Sequence, residues 1–252
     1  MNSLEQIDAA QISLLQKEEK LGLCYKELEK YGDGIEPKIK DTIAYLNALG
    51  FTTCESCEGH VDHGDLSTYI GMEATEPPKW RFVGQEEVFE GVAKKHGVTV
   101  SEIFEYVKPG YDLTLGPKIQ PGNVDQIVSA WEDGWGKTPR ETETDEFKKW
   151  REKTDEMKDK LDLLVQEFYK ERTADSDVKL VVETENDPEF PHVYDFFLHN
   201  GGEDYGNHCD PDERAKLSEG EMNVLKKRLE TRQNEMKDFT EFLKEKYKEY
   251  LP

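Results

Sequence analysis

The sequence predicts an α+β protein: a small, mostly antiparallel sheet covered by helices, with long heptad-patterned helices packed as a coiled-coil-like bundle. Three observations predict it. The stretches 4–31, 139–172 and 217–250 carry apolar residues at alternating three- and four-residue spacing, the seam of an amphipathic helix. Four short segments near 51–54, 67–73, 178–184 and 192–199 are rich in β-branched and aromatic residues and are bounded by turn formers, the mark of strands. The 252 residues are 35% hydrophobic and 35% charged, which suits solvated helices laid on a compact α/β unit. Eleven Phe, eleven Tyr and four Trp supply enough buried area to argue against disorder. The chain is long enough to bury a core. It is expected to form a single domain over 1–252, with the three long helices as a helical subdomain.

The first seam runs Ile7, Ala10, Leu14, Lys17, Leu21, Cys24, Leu28, Tyr31 and ends at Gly32-Asp33-Gly34. A second helix, 35–49, presents Ile35, Ile39, Ile43, Leu46 and Leu49, and Gly50 suits the left-handed position that follows a helix. Phe51-Thr52-Thr53 is expected to be a short strand entering a Cys/His loop, and Ser67–Glu73 another strand. Lys79-Trp80-Arg81-Phe82 is a basic and aromatic island in an acidic chain, read first as a Trp packing down a loop and second as a ligand contact.

Helices are expected at 85–96, 101–107 and 124–133, with 108–122 a Pro/Gly-rich loop. Thr138-Pro139-Arg140-Glu141 has the form of a capping box, placing the next helix at 139–172 with the seam Phe147, Trp150, Thr154, Met157, Leu161, Leu164, Phe168. Val178–Thr184 and Val193–His199 form a hairpin around Asn186-Asp187-Pro188. Ser218-Glu219-Gly220-Glu221 is a second capping box. It opens the last helix, whose seam is Met222, Leu225, Leu229, Arg232, Met236, Phe239, Leu243, Lys246, Tyr250.

The formal charge is −22, from 55 acidic and 33 basic side chains. Such a chain repels phosphate backbones and anionic lipid, so nucleic acid is disfavoured as a partner and no membrane partner is expected. A small molecule or a protein partner is expected instead, with a homo-oligomer through the heptad helices as one form of the latter. The N-terminal residues have neither a basic nor an apolar signal region, and four cysteines in such a chain read as thiols or ligands rather than disulfides. The expected location is the cytoplasm.

Chemistry concentrates in residues 50–64, which hold two of the four cysteines and two of the six histidines. Cys54, Cys57, His60 and His63 repeat at three-residue steps. Thiolate and imidazole are preferred zinc ligands, but three-residue steps along one turn spread the groups along an axis. At most three ligands are therefore expected from the loop, completed by His199, His192, His208 or Cys209. Among these His199 is favoured, because it ends a strand of the same sheet. The metal set so read is Cys54, Cys57, His60, His63 and His199, with zinc as the cofactor.

A second reading makes Cys57 a nucleophile beside His60, against which Glu55, Glu58, Asp62 and Asp65 would raise the thiol pKa. A third makes the loop a structural turn with buried cysteines. Cys57, His60 and Glu58 are the candidate catalytic residues. With zinc bound and one position open, Glu55 or Glu58 would serve as general base in a hydrolytic reaction. The rival from another class is a protein–protein interaction or oligomerisation module.

Leu46 to His60 resembles a bacterial family whose members carry Gly-Phe/Ile-x-Thr-x-x-Ser-Cys-x-Gly-His after a helix. The likeness covers about fifteen of 252 residues and brings no activity with it. The fragment Thr53-x-x-Ser56-Cys57-x-Gly59 is also similar to the Ser-Ser-Cys-Ser-Gly-Arg loop of the methyltransferases of wybutosine synthesis, His60 standing where that family has Arg. The latter likeness implies S-adenosylmethionine chemistry on tRNA, which the acidic charge opposes. What both add is that Ser56, Cys57, Gly59 and His60 form one unit.

Overall fold

A computed structural model describes residues 3–74, 78–106, 124–185, 195–202 and 211–249. It is an α+β structure whose described strands form one four-stranded antiparallel sheet. By compactness the chain divides into two units, residues 1–74 with 154–252, and residues 75–153.

The first unit begins with α1 (Ser3–Leu28) and a 3₁₀ segment, Glu29–Gly34, followed by α2 (Pro37–Leu49). Lys17, Leu21 and Cys24 are half-buried and Leu28 is buried, whereas Tyr31 is 65% exposed. The α-helix stops at Leu28, so the seam's last position turns outward. Ile7, Ala10 and Leu14 lie outside the residues whose side chains are described. Pro37 opens α2, where its missing N–H costs nothing. Gly50, at φ +98°, closes the helix, with Phe51 N–H bonded back to Leu46 O at 3.0 Å.

The strands β1 (Thr53–Cys57), β2 (Tyr69–Met72), β3 (Leu180–Glu185) and β4 (Asp195–Asn200) are arranged in the order β1-β2-β4-β3. Facing pairs share a side of a sheet. Ile70, Leu198 and Val182 therefore point one way, together with Met72 and Phe196. This face meets Ile39, Ile43 and Leu46 of α2 in the unit's core. Burying a side chain such as Ile70 or Leu198 contributes about 1.5–3 kcal/mol. The opposite face carries Cys57, Tyr69, His199 and Val181 in one row, then Glu55, Gly71, Phe197 and Glu183 in the next. The hairpin turn at 186–188 lies outside the described residues.

The last long helix, α8 (Glu219–Glu249), follows a short α7 (Pro211–Arg214). Its expected capping box is present: Glu221 N–H donates to Ser218 Oγ at 3.3 Å, and Ser218 N–H to Glu221 Oε2 at 2.8 Å. Leu229, Arg232, Met236, Phe239 and Leu243 are buried as the seam requires, and then the stripe steps four residues to Tyr247. Lys246 is half-buried beside the stripe and bonds Glu167 at 2.7 Å. A straight helix at 3.6 residues per turn drifts off a strict heptad in this way.

α8 lies along α2, and α2 also takes α1. At the α2–α8 contact Thr42 Oγ1 and Thr240 Oγ1 are 2.7 Å apart, and Thr240 donates onward to Met236 O. Tyr247 OH donates to Lys17 O of α1 at 2.9 Å. The long helix α6 (Asp145–Phe168) meets α8 at its end, Phe168 lying edge-on to Phe239.

The second unit holds α3 (Gln85–His96), α4 (Val100–Tyr106), α5 (Val124–Lys137) and the start of α6. Phe89 is fully buried at its centre among Val92, Ile103, Ile127 and Trp135. α5 runs through Gly134, because Phe89 packs where a Cβ would stand, 2.5 Å from it. α6 starts at Asp145 rather than at Pro139. Residues 142–144 pair with 81–83, with Val83 N–H on Thr142 O and Thr144 N–H on Arg81 O. The backbone there is held extended, and Thr144 is the cap, accepting from Phe147 N–H at 3.2 Å. Thr138 instead donates back to Gly134 O at the end of α5. The 108–122 loop lies outside the described residues.

Among the described residues no helix is long and apolar enough to cross a membrane.

Candidate metal centre

The thirteen residues of α2 rise about 20 Å, and the return over residues 51–57 covers about 23 Å. Helix and strand are thus matched in length, and Cys57 arrives beside Glu36, the residue before α2. Glu36 Oε1 bonds His60 Nε2 directly, and Glu36 Oε2 accepts from Glu58 N–H at 2.5 Å. One oxygen each of Glu36, the Cys57 sulfur and a His60 nitrogen lie within 4.8 Å of one another, all half-buried. Two potential anions and an imidazole are a donor set that suits zinc, and three protein ligands leave one position open.

The loop is held from several sides. Gly59 takes φ +81°, and its N–H donates to Cys57 Sγ at 3.3 Å. The side chain of Gln233, on α8, donates to Glu58 O at 2.9 Å and accepts from Lys38 Nζ at 2.9 Å. Arg214 donates to His60 O at 3.0 Å, and His60 N–H to Asp65 O at 2.7 Å. Arg232, 1% exposed, reaches Leu66 O and Asp177 O.

Burial pushes the Cys57 thiol up to about 11, with Glu36 and then Asp65 adding to the rise against the Gly59 N–H. At neutral pH Cys57 is therefore a thiol, which opposes its use as a free nucleophile. Tyr69, opposite Cys57 in the sheet, is also raised, first by burial and then by Glu55, Cys57, Asp65 and Glu36. It is a neutral hydrogen-bonding group in this setting.

His63 stacks on His60 at 3.9 Å and bonds the exposed Asp62 at 2.8 Å. His60, Asp62 and His63 form a second, more exposed group with ligand atoms within 4.8 Å. Cys54 is exposed, because the register shifts between Thr53 and Glu55 and interrupts the alternation that would turn it inward. Glu55 is exposed. Glu58 is occupied at the start of α2, where Lys38 N–H donates to it at 2.9 Å.

His199 shares the sheet face and row of Cys57, but β2 and Tyr69 stand between them, about 10 Å across two strand spacings. It is 2% exposed, bonding Asn200 O at 2.8 Å and facing Glu183 at 3.4 Å. His192, His208 and Cys209 lie outside the described residues.

Sequence reasoning missed Glu36. The matched lengths of helix and returning strand were its signal, since they bring the residue before Pro37 to the end of β1. Nothing in the linear sequence points to Arg214 or Gln233. Comparison with protein families, with curated proteins and with solved structures gives no match.

Proposed function

We propose that the protein holds a divalent metal ion, zinc by its donor chemistry, through Glu36, Cys57 and His60, and that this centre serves hydrolytic chemistry on a small molecule. The observation that carries the reading is the convergence of those three ligand atoms within 4.8 Å from two separate segments. A glutamate, a thiolate and a neutral imidazole balance a divalent charge. Glu58 N–H on the Glu36 carboxylate and Gly59 N–H on the Cys57 sulfur orient two of the ligand groups, and Arg214, on the His60 carbonyl, holds the backbone of the third, the kind of outer support that metal sites use. Such an ion supplies Lewis-acid polarisation and a bound water of lowered pKa. Tyr69, neutral and facing Cys57, would donate a hydrogen bond to substrate.

The direct His60–Glu36 contact favours a second reading, a structural clasp tying the loop to α2. The two part on metal content. Elemental analysis of untagged protein purified without chelator should give close to one zinc per chain, lost in a Cys57→Ala, His60→Ala double variant. Metal-free wild type that takes up no added zinc, with stability unchanged by chelator, would leave the clasp.

A further inference from the structure

The island Lys79-Trp80-Arg81-Phe82 sorts its two cations differently. Arg81 lies 4.7 Å from the Phe147 ring centroid and 5.1 Å from that of Phe82, and it pairs with Glu143 at 3.5 Å. It is a structural cation, bound to a carboxylate. The Lys79 ammonium stands 4.9 Å from the Trp80 ring and 5.3 Å from the Phe104 ring. Among the described residues no carboxylate pairs with it. In a chain with 55 acidic and 33 basic side chains, an exposed lysine resting on two rings marks a place where aromatic faces hold a cation.

Those rings have the geometry of a cage corner. Trp80 and Phe104 stand at 81° with centroids 5.1 Å apart, and Trp131 adjoins Phe104 at 78° and 5.5 Å. All three are half-buried. Phe89, fully buried, backs them at 5.0 Å from Phe104 and 6.0 Å from Trp80 and from Trp131. The walls are therefore fixed from behind.

We propose that the corner of Trp80 and Phe104 is a binding site for a small organic cation bearing a trimethylammonium group, with Lys79 as its resident occupant. A lysine ammonium is compact and strongly hydrated, so it gains little from ring faces while it remains wet. A trimethylammonium group sheds water readily and buries methyl surface against the same faces while keeping the charge–quadrupole attraction. The net charge of −22 raises the local concentration of any such cation. Lys79 competes for the corner, so removing its ammonium should expose the site.

The test titrates tetramethylammonium chloride into the full chain, with sodium chloride at equal ionic strength as control. Tryptophan fluorescence and broadening of the ligand's methyl proton signal report binding. A saturable response is expected, tightened about two- to fivefold in Lys79→Ala, the weight of one exposed cation–π contact. Phe104→Leu, which keeps apolar volume and whose fold is checked by circular dichroism, should weaken it by at least the same factor. Binding seen only in Lys79→Ala would support the site with lysine as its block. No saturable response in either chain, or binding unchanged by Phe104→Leu, would overturn the proposal.

Discussion

Gly59→Ala tests how the loop is built. Gly59 sits between Cys57 and His60 with φ +81°, where a Cβ meets its own carbonyl and costs about 1–2 kcal/mol. That Cβ would stand 2.6 Å from Leu229 Cδ1, 3.2 Å from Ser67 C and 3.3 Å from Ser67 O. The backbone of Ser67 cannot retreat cheaply, so Leu229 must leave its rotamer, at about 0.5–1.5 kcal/mol. The two costs add to about 1.5–3.5 kcal/mol, to be read from the midpoint of urea unfolding at constant m. In the Gly59→Ala background, Leu229→Ala should cost about 1 kcal/mol less than it does alone, because it removes the obstructing methyl. A loss below about 0.5 kcal/mol, with no coupling to Leu229, would refute both the left-handed turn and its packing.

Three further outcomes are expected. Arg232→Leu should destabilise by about 2–5 kcal/mol in urea, since the buried carbonyl of Leu66 and the half-buried one of Asp177 lose their charged donor. In metal-free protein Cys57, with its thiol near 11, is a thiolate in only about one molecule in a thousand at pH 8. Iodoacetamide should therefore modify it about tenfold faster per pH unit until pH nears 11, with rates followed by mass spectrometry; a rate flat from pH 8 to 10 would contradict this. Thr144→Ala should cost about 1 kcal/mol as the loss of an N-cap, and a neutral result would return the start of α6 to the Thr138 region.

The main elements were legible because hydrophobic period and helix stops are local. The α6 seam Phe147, Trp150, Thr154, Met157, Leu161, Leu164, Phe168 is buried except at Leu164, which is half-buried beside the buried Val165, and its polar member Thr154 accepts from Ala74 N–H at 3.3 Å. Of the two charged residues in the α8 seam, Arg232 is buried, held by backbone carbonyls that no spacing rule reveals, and Lys246 is half-buried. The start of α6 was misread because Thr138 and Thr144 both fit a cap, and only the pairing of 142–144 with 81–83 decides between them. At the site Cys57 and His60 were legible as a local pair. Glu36 was not, since it lies twenty-four residues from His60, and only the fold of α2 onto β1 closes that distance. His199 was expected to end a strand of the same sheet, and it does, but strand order, which sequence does not give, puts Tyr69 between it and Cys57.

Whether Glu36 joins Cys57 and His60 around one ion is decided by zinc titration against a chromogenic chelator. The wild type should bind one zinc, and Glu36→Gln, which removes a ligand charge at nearly constant shape, should weaken it by about tenfold or more. Affinity should rise about tenfold per pH unit between pH 6 and 9, because binding displaces the Cys57 proton. Cys54→Ala should leave it within about twofold, the sulfur lying outside the cluster. Wild type without zinc affinity, or Glu36→Gln binding as tightly as wild type, would contradict the centre.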